Sequence, residues 1–195
     1  VALSGGGTAG AAYRAAAELE PDWQAVEVWF GDERAVPPGD ERSNYRLVRE
    51  TLLDALAVTP GAVHRIEGEL GAEEAAERYD ELARGLEVRF ALNGIGADGH
   101  TASLFPHAPG LRERERRVVA AEPGLEPLVP RVTMTPPVFA EVELLVYLVT
   151  GAEKAEAVAR AFGADPDEAT PASIVRGRRT IAVLDPAAAA LLPGH

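Results

Sequence analysis

The sequence has no cysteine. Disulfides, thiolate nucleophiles and cysteine-based metal sites are therefore excluded, and the absence agrees with an expected cytoplasmic location. No apolar run approaches the roughly 20 residues that cross a bilayer. The first residues also lack the basic stretch and apolar core of a secretory signal. Positive charge is scarce: 19 Lys and Arg stand against 31 Asp and Glu, for a net charge of -12. Nucleic acids and anionic membranes repel such a surface, so neither is an expected partner. Lysine is scarcest of all, with Lys154 the only one in the chain. A coding bias toward Arg, Ala, Gly and Pro accounts for the scarcity, but not for one position that kept its lysine.

The remaining composition is ordinary for a globular protein. With 195 residues, 47% hydrophobic and 26% charged, the chain suits one α/β domain with a full core. It opens on Val1-Ala2-Leu3, which reads as the end of a buried strand. The expected organisation is a single domain over residues 1–195 that lacks an upstream helix and strand.

Strand-like and helix-like segments alternate, the pattern of a parallel sheet covered by helices. Strands are expected at residues 1–4, 26–30, 64–66, 88–93, 144–150 and 181–184. Helices are expected at residues 8–20, 44–56 (with Ser43 as N-cap), 72–84, 153–162 and 186–192. Residues 31–42 read as a polar loop, residues 122–130 as a Pro-rich surface loop, and the charge run 112–117 as a solvated turn or helix.

Ligands of open α/β sheets bind at the carboxyl ends of strands, and four loops at such ends carry unusual residues. In Ser4-Gly5-Gly6-Gly7-Thr8, glycines let backbone N–H groups approach an anion at a helix N-terminus. Gly5, Gly7 and Gly10 also satisfy G-x-G-x-x-G, with Asp32 after the next strand, so a dinucleotide-binding module is an alternative. In Gly31-Asp32-Glu33-Arg34, the Arg34 fork suits a phosphate or carboxylate. Asp32 there serves either to hold Arg34 or to bind a sugar hydroxyl. In Gly94-Ile95-Gly96-Ala97-Asp98-Gly99-His100, a histidine able to exchange a proton near neutrality lies two residues from a carboxylate. Asp98 and His100 alone lack a third metal ligand, and a Ser103/His100/Asp98 triad lacks a nucleophile elbow. His64, His107 and His195 read as structural or exposed. In the fourth loop Lys154 sits in the first turn of a helix, where a cation opposes the dipole and an anionic ligand would explain its place.

These segments, in this order, resemble the 6-phosphogluconolactonases: LSGGGT at 3–8, WFGDERAVP at 29–37, SNYRLVRETLL at 43–53 and GIGADGHTASLFP at 94–106. RVTMT at 131–135, VTGAEKAEAV at 149–158 and PASIV at 171–175 extend the likeness over the whole chain. The resemblance implies a modified Rossmann-like fold, a mostly parallel sheet with helices on both faces. It also implies hydrolysis of 6-phospho-D-glucono-1,5-lactone in the oxidative pentose phosphate pathway, without cofactor or metal, by a monomer or weak homodimer. Carried over, it makes His100 the residue that activates water, with Asp98 beside it as a catalytic partner. Gly7, Thr8, Asp32, Arg34, Arg131 and Lys154 become substrate-binding residues, with Arg34 and Lys154 on the phosphate. A glucosamine-6-phosphate deaminase-like isomerase is the closest rival. Those enzymes follow GxGxDGH with an Ile-Ala-Phe-Asn type of sequence, where this chain has Thr101-Ala102-Ser103-Leu104-Phe105-Pro106.

Overall fold

A computed structural model describes residues 1–20, 22–124, 126 and 128–192; His195 lies outside them. In chain order the elements are β1 (Ala2–Leu3), α1 (Gly7–Leu19), β2 (Glu27–Phe30), β3 (Asp32–Arg34), α2 (Asn44–Thr51), β4 (Ala62–His64), α3 (Ala72–Leu82), β5 (Phe90–Asn93), β6 (Val118–Ala121), β7 (Arg131–Met134), α4 (Pro136–Glu141), β8 (Leu144–Val149), α5 (Ala155–Gly163), α6 (Pro171–Ile174) and β9 (Arg179–Leu184).

Six strands form one sheet in the order β4-β2-β1-β5-β8-β9, and every pairing in it is parallel. This is the parallel sheet expected from the alternating pattern and the Rossmann-like architecture that the resemblance implied. Parallel strands buried on both faces carry near-continuous apolar runs, which is why Leu-Leu-Val-Tyr-Leu-Val and Ala-Leu lie at its centre. Val28, Phe30, Leu145, Tyr147 and Phe139 are fully buried in the core. The strand order reverses direction between β1 and β5, and the crevice outside their carboxyl ends is where this class of sheet holds ligands.

A second sheet, β3-β7-β6, is antiparallel. It corrects the reading of residues 31–42 as loop throughout. Asp-Glu-Arg has no apolar alternation to announce a strand, and β3 forms because β7, a hundred residues later, completes its ladder. Gly31 joins the two sheets: its N–H donates to the Leu3 carbonyl (2.8 Å), and its own carbonyl accepts from Met134 N–H (2.8 Å).

The other expected elements, the helix at 186–192 excepted, stand with shifted ends. Ser43 caps α2 by accepting from Arg46 N–H. The strand expected at 64–66 is instead 62–64, in parallel register with β2. Residues 186–191 form turns rather than a helix, because Asp185 Oδ1 takes the Ala188 N–H and the backbone bonds from Ala190 and Leu192 reach back only three residues. His107 is exposed, and His64 stacks on Trp29 with ring centroids 4.0 Å apart.

Tyr79 of α3 fastens one end of the main sheet. Its buried hydroxyl accepts from Phe30 N–H (2.9 Å) and donates to the His64 carbonyl (2.9 Å), bridging β2 and β4. Tyr79→Phe strands the Phe30 N–H without a partner, which costs about 1–3 kcal/mol. Calorimetry should show a midpoint lowered by about 2–4 °C for each kcal/mol lost, as for domains of this size.

Candidate active site

A cleft of about 250 Å³ opens at the carboxyl ends of β1 and β5. It brings together all four loops that the sequence singled out. Gly7, Thr8, Asp32, Arg34, His100, Arg131 and Lys154 line it; Asp98 does not.

One end is built on the turn that follows β5. His100 Nδ1 lies 2.6 Å from Asp98 Oδ1, and His100 N–H donates to the same oxygen (3.1 Å). The carboxylate sits behind the ring, so it takes Nδ1–H and leaves Nε2 as the nitrogen able to accept a proton in the cleft. Phe105 packs against the imidazole with ring centroids 4.8 Å apart. Burial acts to raise the Asp98 pKa. The hydrogen bond and charge of His100 and its backbone N–H outweigh that effect and hold the carboxyl below its ordinary value. Gly96 makes the geometry possible, because a Cβ there would overlap His100 Nδ1 and Cε1 and come within 2.5 Å of Asp98 Oδ1. Beneath the turn, Thr101 Oγ1 donates to the Gly94 carbonyl (2.9 Å) and accepts from Asn93 Nδ2 (3.2 Å).

The other end is cationic. Arg34 and Arg131 are directly opposed in the β3–β7 register, and both line the cleft. Burial first, then the positive charge of Arg34, lowers the Arg131 pKa, while Asp32 and Glu33 act against the shift. Arg34 Nη1 donates to the Arg42 carbonyl, and Arg131 Nε to that of Val129 (3.0 Å). Lys154 also lines the cleft, at the end of a short 3-10 turn that leads into α5. Next to it the Thr8 and Thr150 hydroxyls meet at 2.8 Å. The first N–H groups of α1 have no partner within the helix. Its N-cap is Gly6 at φ 102, without a side-chain cap. This left-handed conformation suits glycine and leaves those groups open to an anion.

Between the ends lies a buried polar network that the sequence did not reveal. Asp32 Oδ2 accepts from Ser103 Oγ (2.7 Å) and Oδ1 from Asn44 Nδ2 (3.1 Å), while the Asp32 carbonyl also accepts from Asn44 Nδ2 (2.9 Å). Asp32 is thus held by Ser103 and Asn44 and makes no ion pair with Arg34 among the described residues. Ser103 points to Asp32 rather than to His100, which removes the triad. Gly10 of the G-x-G-x-x-G pattern packs on Leu47 and Thr51, so it serves the contact between α1 and α2. Asn93, Asn44 and Thr150 also line the cleft. Their only signal in the sequence was a place next to a strand end or a helix cap. Among the described residues, no three His, Cys, Asp or Glu side chains cluster as metal ligands, and no helix is long and apolar enough to cross a membrane.

The model of the glucosamine-6-phosphate isomerases/6-phosphogluconolactonase family matches residues 1–183. The chain belongs to that family. A 6-phosphogluconolactonase of Streptomyces coelicolor is 37% identical over 88% of this chain and 72% of its own length. That of Mycobacterium tuberculosis is 35% identical over 99% of this chain and 85% of its own. The crystal structure of 6-phosphogluconolactonase from Thermotoga maritima superposes with a TM-score of 0.83 at 30% identity, covering 94% of this chain and 83% of that one. A monomeric glucosamine-6-phosphate deaminase shares the fold, with a TM-score of 0.82 at 21% identity.

Two outcomes follow from the His100–Asp98 pair that this family member holds in so close a turn. Gly96→Ala should abolish the low-field Nδ1–H proton resonance of the short hydrogen bond in NMR spectra, while the fold persists. Because the folded state lowers the Asp98 pKa, the carboxylate contributes stability in full above the ordinary aspartate value of about 3.9 and loses it as the pH falls through the lowered value. Thermal unfolding of wild type and Asp98→Asn should therefore differ at neutral pH and converge in that acid range.

Proposed function

We propose that this chain hydrolyses 6-phospho-D-glucono-1,5-lactone to 6-phosphogluconate. The observation that carries the reading is one cleft with a carboxylate-oriented histidine at one end and Arg34, Arg131 and Lys154 at the other. The names of the relatives, 6-phosphogluconolactonases at 32–37% identity, agree with it. Three cationic side chains beside an open helix N-terminus suit a phosphate dianion. The reacting carbonyl then lies toward His100.

Water adds to the ring carbonyl while His100 Nε2 takes its proton. Asp98 fixes the tautomer and stabilises the imidazolium that forms. Backbone N–H groups about residues 94–99 stabilise the charge on the carbonyl oxygen. The tetrahedral intermediate collapses with cleavage of the bond to the ring oxygen, which takes the proton back from His100 and becomes a hydroxyl. A lactone is an activated ester, so general-base help of about 10²–10⁴-fold suffices without a covalent intermediate. Asp32, held rigid by Ser103 and Asn44, presents its carboxylate to a sugar hydroxyl. The phosphate grip orients the ring against His100 and so acts on binding more than on chemistry.

Hydrolysis of freshly generated 6-phosphogluconolactone tests the reading, with glucosamine 6-phosphate as a control for ammonia release. His100→Ala should lower kcat about 10²–10⁴-fold with little change in KM. Arg34→Ala should raise KM about tenfold to a hundredfold, the loss of one charged hydrogen-bond donor, with kcat largely kept. An unchanged kcat in His100→Ala would remove the central assignment, and ammonia release in place of lactone hydrolysis would favour the isomerase branch of the family.

A further inference from the structure

We propose that Glu33 is a positioning residue: a buried carboxylate that fixes the anion-binding end of the cleft without touching the ligand. The proposal rests on the phosphate reading of that end. Strand β3 alternates, so Asp32 and Arg34 share one side and Glu33 takes the other. Glu33 is 2% exposed, forms no ion pair among the described residues, and is held by hydrogen bonds, with Arg131 near enough to sense its charge. Oε1 accepts from Arg34 N–H (2.7 Å) and Asn44 N–H (2.7 Å). Oε2 accepts from Tyr45 N–H (2.7 Å) and Ser43 Oγ (3.0 Å).

Each oxygen thus takes two donors, and the donors come from two elements. Arg34 N–H belongs to β3, and the other three belong to the N-terminus of α2, where a carboxylate also meets the favourable end of the helix dipole. Glu33 is the weld between them. It fixes three residues that line the cleft. It sets the backbone of Arg34 directly, it sets Asn44 through its N–H, and through the Asn44 amide it sets Asp32. The cost of burying this charge is visible in the carboxyl itself, whose pKa burial raises against the pull of all four hydrogen bonds. A buried charge kept at that cost, one residue from the arginine fork, suits a role in geometry.

Glu33→Gln tests the weld because it preserves shape while breaking its logic. An amide supplies one oxygen, so its NH₂ faces a pair of donors in either orientation. Ser43 can rotate its hydroxyl to accept, but no backbone N–H can. The expected result is a KM for the lactone raised about tenfold with kcat within about threefold, since small displacements of binding groups carry penalties of this order or more. Binding of inorganic phosphate, measured by calorimetry, should weaken by a similar factor. Combined with Arg34→Ala, Glu33→Gln should add less to the KM than it does alone, because the part of its effect that passes through Arg34 is already lost. A merely structural glutamate would lower the melting temperature and leave the ratio of KM to kcat unmoved.

If Glu33→Gln does not fold, Ser43→Ala removes one donor from Oε2 together with the α2 cap, and should move KM and phosphate affinity in the same direction by a smaller factor with kcat kept. Unchanged KM and phosphate affinity in folded Glu33→Gln, or in Ser43→Ala when the first does not fold, overturns the proposal. Wild-type protein that neither binds phosphate nor hydrolyses the lactone would instead overturn the reading of the site, so the two failures are distinguishable.

Discussion

Two guanidinium groups facing each other across a pair of strands repel, and Arg34 and Arg131 occupy such positions on β3 and β7. Much of the surrounding structure makes sense as the means of keeping them there. Asp32 and Glu33 lie close enough to oppose the repulsion that Arg131 feels. The small antiparallel sheet is short, and it is tied into the main sheet through Gly31. On the proposed reading, free energy spent on holding like charges together is recovered when a phosphate arrives between them, so the repulsion would itself be a form of selectivity. An uncharged sugar would gain nothing from it.

The two ends of the cleft come from different architectural sources. His100 and Asp98 belong to a turn at the end of a central parallel strand, where buried apolar side chains fix the backbone. The cations come from the periphery: two from the small sheet and one from the turn into α5. A base must be aligned to within fractions of an ångström to be effective, whereas an ionic grip tolerates more play. On the proposed reading, the group with the tightest geometric demand sits at the end of a buried central strand.

How much of this could be read from the residues depended on the kind of signal each element carries. The apolar run 144–149 announced a buried strand, and the glycines around Asp98 and His100 announced a place where backbone and side chains crowd. Gly96 shows why, since the His–Asp pair occupies the space of its absent side chain. Strand β3 was illegible because its residues are all charged and its partner β7 lies far along the chain. Asp98 was expected beside His100 and is found there, but that the turn keeps it out of the cleft lining is something spacing alone does not specify. Asn44 and Ser103 looked like a helix start and a loop hydroxyl, and only the fold brings both to Asp32. Arg131 stood out through family resemblance rather than through any local pattern.

The single lysine has a consequence for how the molecule can be studied. With no cysteine and one lysine, the chain offers acylating reagents a single side-chain amine, at Lys154, and that residue lines the cleft. Covalent labelling of side-chain amines is therefore a footprint of this one site. Its rate reports whether the ammonium is occupied by an anion or open to solvent, without any engineered handle.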